Sequence, residues 1–314
     1  MPKVSIITPT HNRAHFISEA IESVLAQTMN DWEQIIIDDG STDNTREVVE
    51  KYANRDSRIR YVYQVKGRLS RHRAMAVHIA QGKFITFLDD DDTFLPHKLE
   101  RQVSFLEQHP DVGLVYSQVD MVEADKKFIK TWPDVPATSF IELMKDCTIQ
   151  PNAALVRKEC IEQVGNFNTK LKSCDDYDLW LRIARRYPIA FVPETVGIYR
   201  WHGRNISHQH QLRLKSHVAI FKAILKQDLS DLERQQAVQR VLSFAYWPAQ
   251  HALEKGNFGE AMYFFWAALQ FSPRIGLMVP WSRFSNWFYR LLKPYLALIY
   301  CCCMTPFQRK EVHG

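Results

Sequence analysis

Lys83-Phe84-Ile85-Thr86-Phe87-Leu88-Asp89-Asp90-Asp91-Asp92 decides how this chain is read. An apolar run bounded by turn-forming residues predicts a buried strand over Lys83–Leu88. Four adjacent carboxylates then follow without a break. They repel one another, so their charge is costly unless something positive sits among them. Carboxylate oxygens suit magnesium or manganese, which take one or two protein carboxylates and complete their shell with phosphate oxygens. A solvated acidic loop is the plain alternative for such a run in isolation. What favours the cation site is the run's position, at the end of a strand in an alternating β/α pattern.

That pattern extends on both sides. Val4–Thr8 predicts a strand ending at Pro9, and Phe16, Ile17, Ala20, Ile21, Val24 and Leu25 recur at helical spacing. Trp32–Ile37 predicts a second strand, stopped by the turn and cap residues Asp38-Asp39-Gly40-Ser41. Ile59–Tyr63 is a third, and Ser70–Ala80 a helix with Gly82 as its C-terminal cap. Leu99, Val103 and Leu106 mark another helix, ended by Pro110, and Val112–Ser117 another strand. Alternation of this kind implies right-handed crossovers and a largely parallel sheet. Ligands bind beyond the carboxyl ends of such strands. Pro9-Thr10-His11-Asn12-Arg13, Asp38-Asp39-Gly40-Ser41 and Asp89–Asp92 should therefore gather along one edge.

After residue 120 the pattern loosens. Asp175–Arg186 predicts a helix, and residues 208–314 read as mostly helical. Acidic residues at the start of the first of these, Asp175-Asp176-Tyr177-Asp178, suit the helix dipole. They could equally supply a general base for an acceptor hydroxyl. In Arg200-Trp201-His202-Gly203 the histidine is either a structural side chain or a metal ligand.

The 314 residues, 46% hydrophobic and 24% charged, are those of a globular protein with a sizeable core. The net charge of +5 is uneven: residues 208–314 hold 13 Lys and Arg against 6 Asp and Glu. No concentrated basic stripe is present, so no nucleic acid partner is expected. The six cysteines form no CxxC pair and no zinc spacing, and three of them, Cys301, Cys302 and Cys303, are consecutive. With no apolar leader after Met1, a reducing, cytoplasmic location is expected. From Pro294 to Gln308 the chain is uncharged, too short to span a bilayer. Trp281, Phe284, Trp287 and Phe288 precede it with Arg283, Arg290 and Lys293 interspersed. Residues 284–314 should thus lie against the inner face of a membrane or pack on protein, a second subunit of a homo-oligomer included.

Taken in order, these pieces closely resemble the family 2 glycosyltransferases of the inverting, non-processive type. The matching stretches are Val4–Arg13, Ile37-Asp38-Asp39-Gly40-Ser41-Thr42-Asp43 and Gly67-Arg68-Leu69-Ser70-Arg71-His72-Arg73. They continue with Gly82–Asp92, Asp175–Arg182 and Tyr199-Arg200-Trp201-His202. The resemblance implies a GT-A-like α/β fold: a mixed, mainly parallel sheet flanked by helices. It covers residues 1–207 as a nucleotide-sugar-binding catalytic domain, with 208–314 as a helical C-terminal extension. It further implies transfer from a nucleotide-diphosphate sugar, most simply a UDP-sugar, to a glycan or lipid-linked glycan, with Mn2+ or Mg2+ as cofactor. Residue by residue, Thr8, Pro9 and Arg13 line the nucleotide pocket, Asp39 contacts the base, and Arg73 contacts the nucleotide. Asp89 and Asp90 belong to the nucleotide side of the acidic run. Asp91, Asp89 and His202 are the implied metal ligands. Asp176 is the implied catalytic base, with Asp175 beside it where the family has Glu. A second departure is Ala74, where the family usually has Asn.

Rival classes fit less well. A sugar nucleotidyltransferase should carry a glycine-rich loop after its first strand, and Pro9–Arg13 has no glycine. No GxGxxG follows any strand, against a dinucleotide dehydrogenase. Processive synthases carry a Gln-x-x-Arg-Trp motif, and no Gln stands three before Arg200. A non-catalytic nucleotide-sugar binder remains the alternative, although every expected carboxylate is present.

Overall fold

The computed structural model describes residues 1–65, 67, 69–203 and 209–271. Its centre is a nine-stranded sheet. In chain order the first elements are β1 (Val4–Thr10), α1 (Ile17–Leu25), β2 (Trp32–Asp39), α2 (Thr45–Ala53) and β3 (Ile59–Gln64). Then come α3 (Leu69–Ile79), β4 (Phe84–Phe87), β5 (Thr93–Phe94), α4 (Lys98–Gln108), β6 (Leu114–Glu123) and β7 (Phe128–Trp132). They are followed by α5 (Phe140–Lys145), β8 (Ala154–Arg157), α6 (Lys158–Gln163), α7 (Asp175–Arg186) and β9 (Ile189–Trp201). Helices α8 (His210–Ile224), α9 (Asp231–Glu254) and α10 (Phe258–Phe271) close the described chain. The sheet order is β3-β2-β1-β4-β8-β6-β9-β5, with β7 paired to β6.

The β3-β2-β1-β4 half is all parallel, as the alternation predicts. β1, β2 and β4 are buried on both faces, which is why they read as continuous apolar runs, whereas the edge strand β3 is only partly buried. Successive residues point to opposite sides. Ile7, Ile35, Ile37, Ile85 and Phe87 join the core beneath α3, α7 and α8. Val4, Ile6, Ile36 and Phe84 join the other, beneath α1 and α4. The register pairs Thr10 with Asp38 and Ile7 with Phe87, so these three strands end along one edge. The three loops singled out above therefore leave the sheet side by side.

The other half mixes directions. β8 is antiparallel to β4 and β6, and β5 is antiparallel to β9. Of β5, β7, β8 and β9, none was expected from the sequence. β9 alternates through a half-exposed strand with Pro193 and Glu194 inside it, which blurs the apolar signal.

The core also runs across residue 207. Ile220, Phe221 and Ile224 of α8 and Ala237, Val238 and Val241 of α9 share one apolar cluster with Tyr177 and Trp180 of α7. No helix among the described residues is long and apolar enough to cross a membrane. The membrane- or partner-facing segment 284–314 lies outside the described residues.

Gly82 departs from its sequence reading. Helix α3 ends at Ile79, and Gly82 is not a helix cap. It is small because β1 passes over it: a Cβ there would sit 2.5 Å from the backbone nitrogen of Ser5. Its own N–H donates to Ser5 Oγ at 2.8 Å.

Candidate active site

The acidic run turns straight from β4 into β5, and β5 docks on β9 through Thr93–Ile198 and Phe94–Gly197. That short connection is what carries Asp91 to a residue 111 positions away. His202 Nε2 lies 2.9 Å from Asp91 Oδ2. Asp92 is the anchor of the turn. It is 3% exposed, and its Oδ1 accepts the Arg200 N–H at 2.9 Å.

The four aspartates are not equivalent. Asp90, Asp91 and Asp92 are buried, whereas the Asp89 side chain is 34% exposed. Burial, then the neighbouring Asp91, pushes Asp90 up to about 8. Burial and Asp89 raise Asp91 against the opposing pull of His202 and Arg13. Burial and Asp91 raise Asp92 well above the carboxylate range. The shared cause is crowded negative charge in a low-dielectric place, which a cation would relieve. Arg13 is the nearest positive group on the β1–α1 loop: its guanidinium is 3.8 Å from Asp90 and 3.7 Å from Asp91.

Across the crevice, α7 begins at Cys174, whose φ of 55° is left-handed and turns the chain sharply into the helix. Asp175 is 3% exposed and lies 3.3 Å from Arg73 Nη1. The other end of the same guanidinium meets Asp89 Oδ1 at 2.7 Å. Arg73 is itself buried, and although burial works against its charge, Asp89, Asp175 and Asp176 outweigh that and hold it above its ordinary value. Asp176 is only partly exposed. Burial, then Asp175, pushes it up to about 6. Asp178 is tied to Arg182 at 2.7 Å, one turn on.

The β2–α2 turn separates two neighbouring carboxylates. Asp38 is fully buried and spent on structure, accepting the Ser41 N–H and the Tyr61 hydroxyl. Asp39 faces outward, accepts the Gly67 N–H, and has His72 3.6 Å away. Burial lowers the His72 pKa, so at neutral pH it is an uncharged neighbour. Asn12, at φ 54°, stitches this turn to the β1–α1 loop: its Oδ1 accepts the Thr42 N–H at 2.8 Å. The sequence places Asn12 in the loop expected at this edge but assigns it no role of its own, although a left-handed Asn between strand and helix is a recognisable turn residue.

The expected site residues thus fall into groups. Arg13, Asp89, Asp90, Asp91 and His202 come together, and Arg73 links Asp89 to Asp175. Asp39 stands on the adjacent loop. Thr8 is fully buried within β1, where its hydroxyl accepts from Gln34 at 3.0 Å, and Pro9 is buried beside it. Ala74 packs against the apolar core and offers no polar group where the family has Asn.

Among the described residues no three His, Cys, Asp or Glu side chains are gathered as a ready metal cage. What is present is one carboxylate oxygen and one imidazole nitrogen at 2.9 Å. That donor pair fits a divalent cation which keeps its remaining positions for phosphate oxygens. Asp89 is engaged with Arg73 rather than with this pair.

The mixed, mainly parallel sheet flanked by helices, with the acidic run at the end of β4, is a GT-A architecture. Residues 5–165 match the model of Glycosyl transferase family 2, and the chain belongs to that family. It is 32% identical over 184 residues to the Escherichia coli UDP-Glc:alpha-D-GlcNAc-diphosphoundecaprenol beta-1,3-glucosyltransferase WfgD, covering 58% of this chain and 70% of that one. Its fold is similar to S. aureus TarS 1-349 in complex with UDP, with a TM-score of 0.71 and 19% identity over 99% of this chain and 94% of that one. The Pyrobaculum calidifontis mannosyltransferase PcManGT, in complex with GDP-Man and Mn2+, matches with a TM-score of 0.57 and 20% identity over 98% of this chain and 88% of that one.

Proposed function

We propose that this glycosyltransferase moves a sugar from a UDP-sugar to a hydroxyl of a glycan or lipid-linked glycan, with inversion and with Mn2+ or Mg2+ as cofactor. The observation that carries this reading is continuity. Two ion pairs join Asp175 to Arg73 and Arg73 to Asp89, and Asp89 stands two residues from the Asp91–His202 pair. A candidate base and a candidate metal pair are therefore linked through one continuous set of charged side chains.

In this reading Asp176 accepts the proton of the attacking hydroxyl. Asp175 is the less suitable base because Arg73 already claims it. Inversion follows from a single displacement, so no nucleophilic side chain is needed. Arg13 holds the diphosphate beside Asp90 and Asp91, and Asp39 receives the base. Arg73 is better placed to fix Asp89 and Asp175 than to touch the nucleotide, since it is 3% exposed. Thr8 and Pro9, buried in the strand, contribute through backbone only. A cation held by Asp91 and His202 would supply Lewis-acid neutralisation of charge on the departing diphosphate.

The donor and cofactor are supported by the UDP bound to TarS and the Mn2+ bound to the mannosyltransferase. The acceptor is supported by the diphosphoundecaprenol substrate in the WfgD name. In this reading the enzyme works at the cytoplasmic face of a membrane, with residues 1–207 as the catalytic unit and 208–314 as a helical extension whose segment 284–314 meets the membrane or a partner. Release of UDP from a panel of UDP-sugars, with manganese and a prenyl-diphosphate-linked acceptor sugar, tests the reading. Nucleotide binding with no turnover across a broad donor panel would overturn it in favour of a non-catalytic binder. Unchanged membrane fractionation after deletion of residues 284–314 would remove the lipid-facing role of that segment.

A further inference from the structure

His202 is the residue that follows Trp201, the last residue of β9. Its imidazole is held in a defined plane. The Phe16 ring stacks on it, with centroids 5.7 Å apart and planes 7° from parallel. Phe16 caps the start of α1, at the far end of the β1–α1 loop from β1. The Arg200 guanidinium approaches the same ring at 4.9 Å, and that of Arg13 at 5.8 Å. One turn further along α1, Glu19 receives Arg200 Nη2 at 2.7 Å. The Arg200 backbone N–H is meanwhile clamped by Asp92. The β1–α1 loop and the end of β9 thus converge on the one aromatic ring at the start of α1.

We propose that Phe16 is a positioning residue: its ring face sets the plane of the His202 imidazole, and so aims Nε2 at the point shared with Asp91. The proposal rests on reading Asp91 and His202 as the metal pair. The physical reason is that a metal-bound imidazole is effective only when its ring orientation is fixed from outside the coordination shell. The parallel Phe16 face supplies such a constraint, and the Arg200–Glu19 pair holds the strand end against that face. Phe16 touches neither sugar nor acceptor in this role.

The test uses the full-length chain, stripped by chelator and saturated with UDP. Binding of Mn2+ is followed by the loss of the free-ion electron paramagnetic resonance signal. Phe16→Leu and Phe16→Met keep apolar volume but lose the planar face, and each should weaken Mn2+ binding about tenfold. Phe16→Tyr keeps the face and should bind as the parent does. In a His202→Ala background, Phe16→Leu should cause no further loss, because residues acting through one another are not additive. Equal losses with and without His202, or no loss in both Leu and Met variants, would overturn the positioning role alone. A parent protein that binds no Mn2+ in the presence of UDP would overturn the metal reading, and the inference with it.

Discussion

Arg73 and Asp175 meet at 3.3 Å in the interior, and this contact distinguishes two adjacent carboxylates. Asp175 is held by a permanent cation, while Asp176 is left partly exposed at the crevice with a raised proton affinity. Asp176→Asn should therefore lower kcat by about 10²–10⁴-fold with little change in donor affinity, the usual contribution of a general base. Asp175→Asn should act less on kcat and more on stability. Steady-state kinetics on both variants checks the assignment, and a larger kcat loss for Asp175→Asn would reverse it.

The pH profile follows from the same group. A general base works only when deprotonated, so kcat/KM should fall as pH drops below about 6. The stability effect has the opposite sense. The folded-state pKa of Asp176 lies above its ordinary 3.8, so its contribution is most favourable below about 4 and is lost as pH rises to about 6. Asp176→Asn should thus be more stable than the parent at pH 8, with the difference vanishing near pH 4. Thermal melts at the two pH values decide this.

Arg73 is 3% exposed between two acids. Arg73→Met removes the cation and leaves Asp175 buried without its partner, which should cost about 3–5 kcal/mol. Adding Asp175→Asn should restore part of that loss. Urea unfolding of the single and double variants measures both; a single variant as stable as the parent would show the guanidinium is dispensable.

Chelation should abolish transfer from a UDP-sugar, and Mn2+ should restore it. Asp91→Asn should lose at least about 100-fold in activity and resist rescue at ordinary manganese concentrations. Asp92→Asn should be milder in manganese affinity, since it would keep an oxygen for the Arg200 N–H. Full activity in EDTA would rule out the cofactor.

Gly82→Ala should destabilise the protein by about 1–3 kcal/mol, because the added methyl meets the β1 backbone rather than a movable side chain. Melting of the variant checks it, and unchanged stability would mean that β1 and the α3–β4 loop separate freely.

Much of this was legible from residue order. Most of the parallel half of the sheet announced itself because β1, β2 and β4 are buried on both faces, so these strands are continuous apolar runs. The gathering of Arg13, Asp39 and Asp89–Asp92 followed from strand direction alone. The other half was not legible. β5 has two residues, β8 has four, and β9 is half-exposed, so neither length nor periodicity marks them. Asp38 and Asp39 are chemically identical neighbours, and burial with the Ser41 N–H and Tyr61 hydroxyl bonds shows that Asp38 is the structural one.

The chain by itself determined the architecture, the family and the residue types of the crevice, because these depend on local pattern and on motif order. Tertiary structure decided the contacts themselves: the 2.9 Å approach of His202 to Asp91, which the family resemblance had only grouped, Arg73 between Asp89 and Asp175, and Phe16 against His202. Such contacts depend on where β5 and β9 dock and on how deeply each carboxylate is buried. Neither quantity is encoded in any local stretch of sequence.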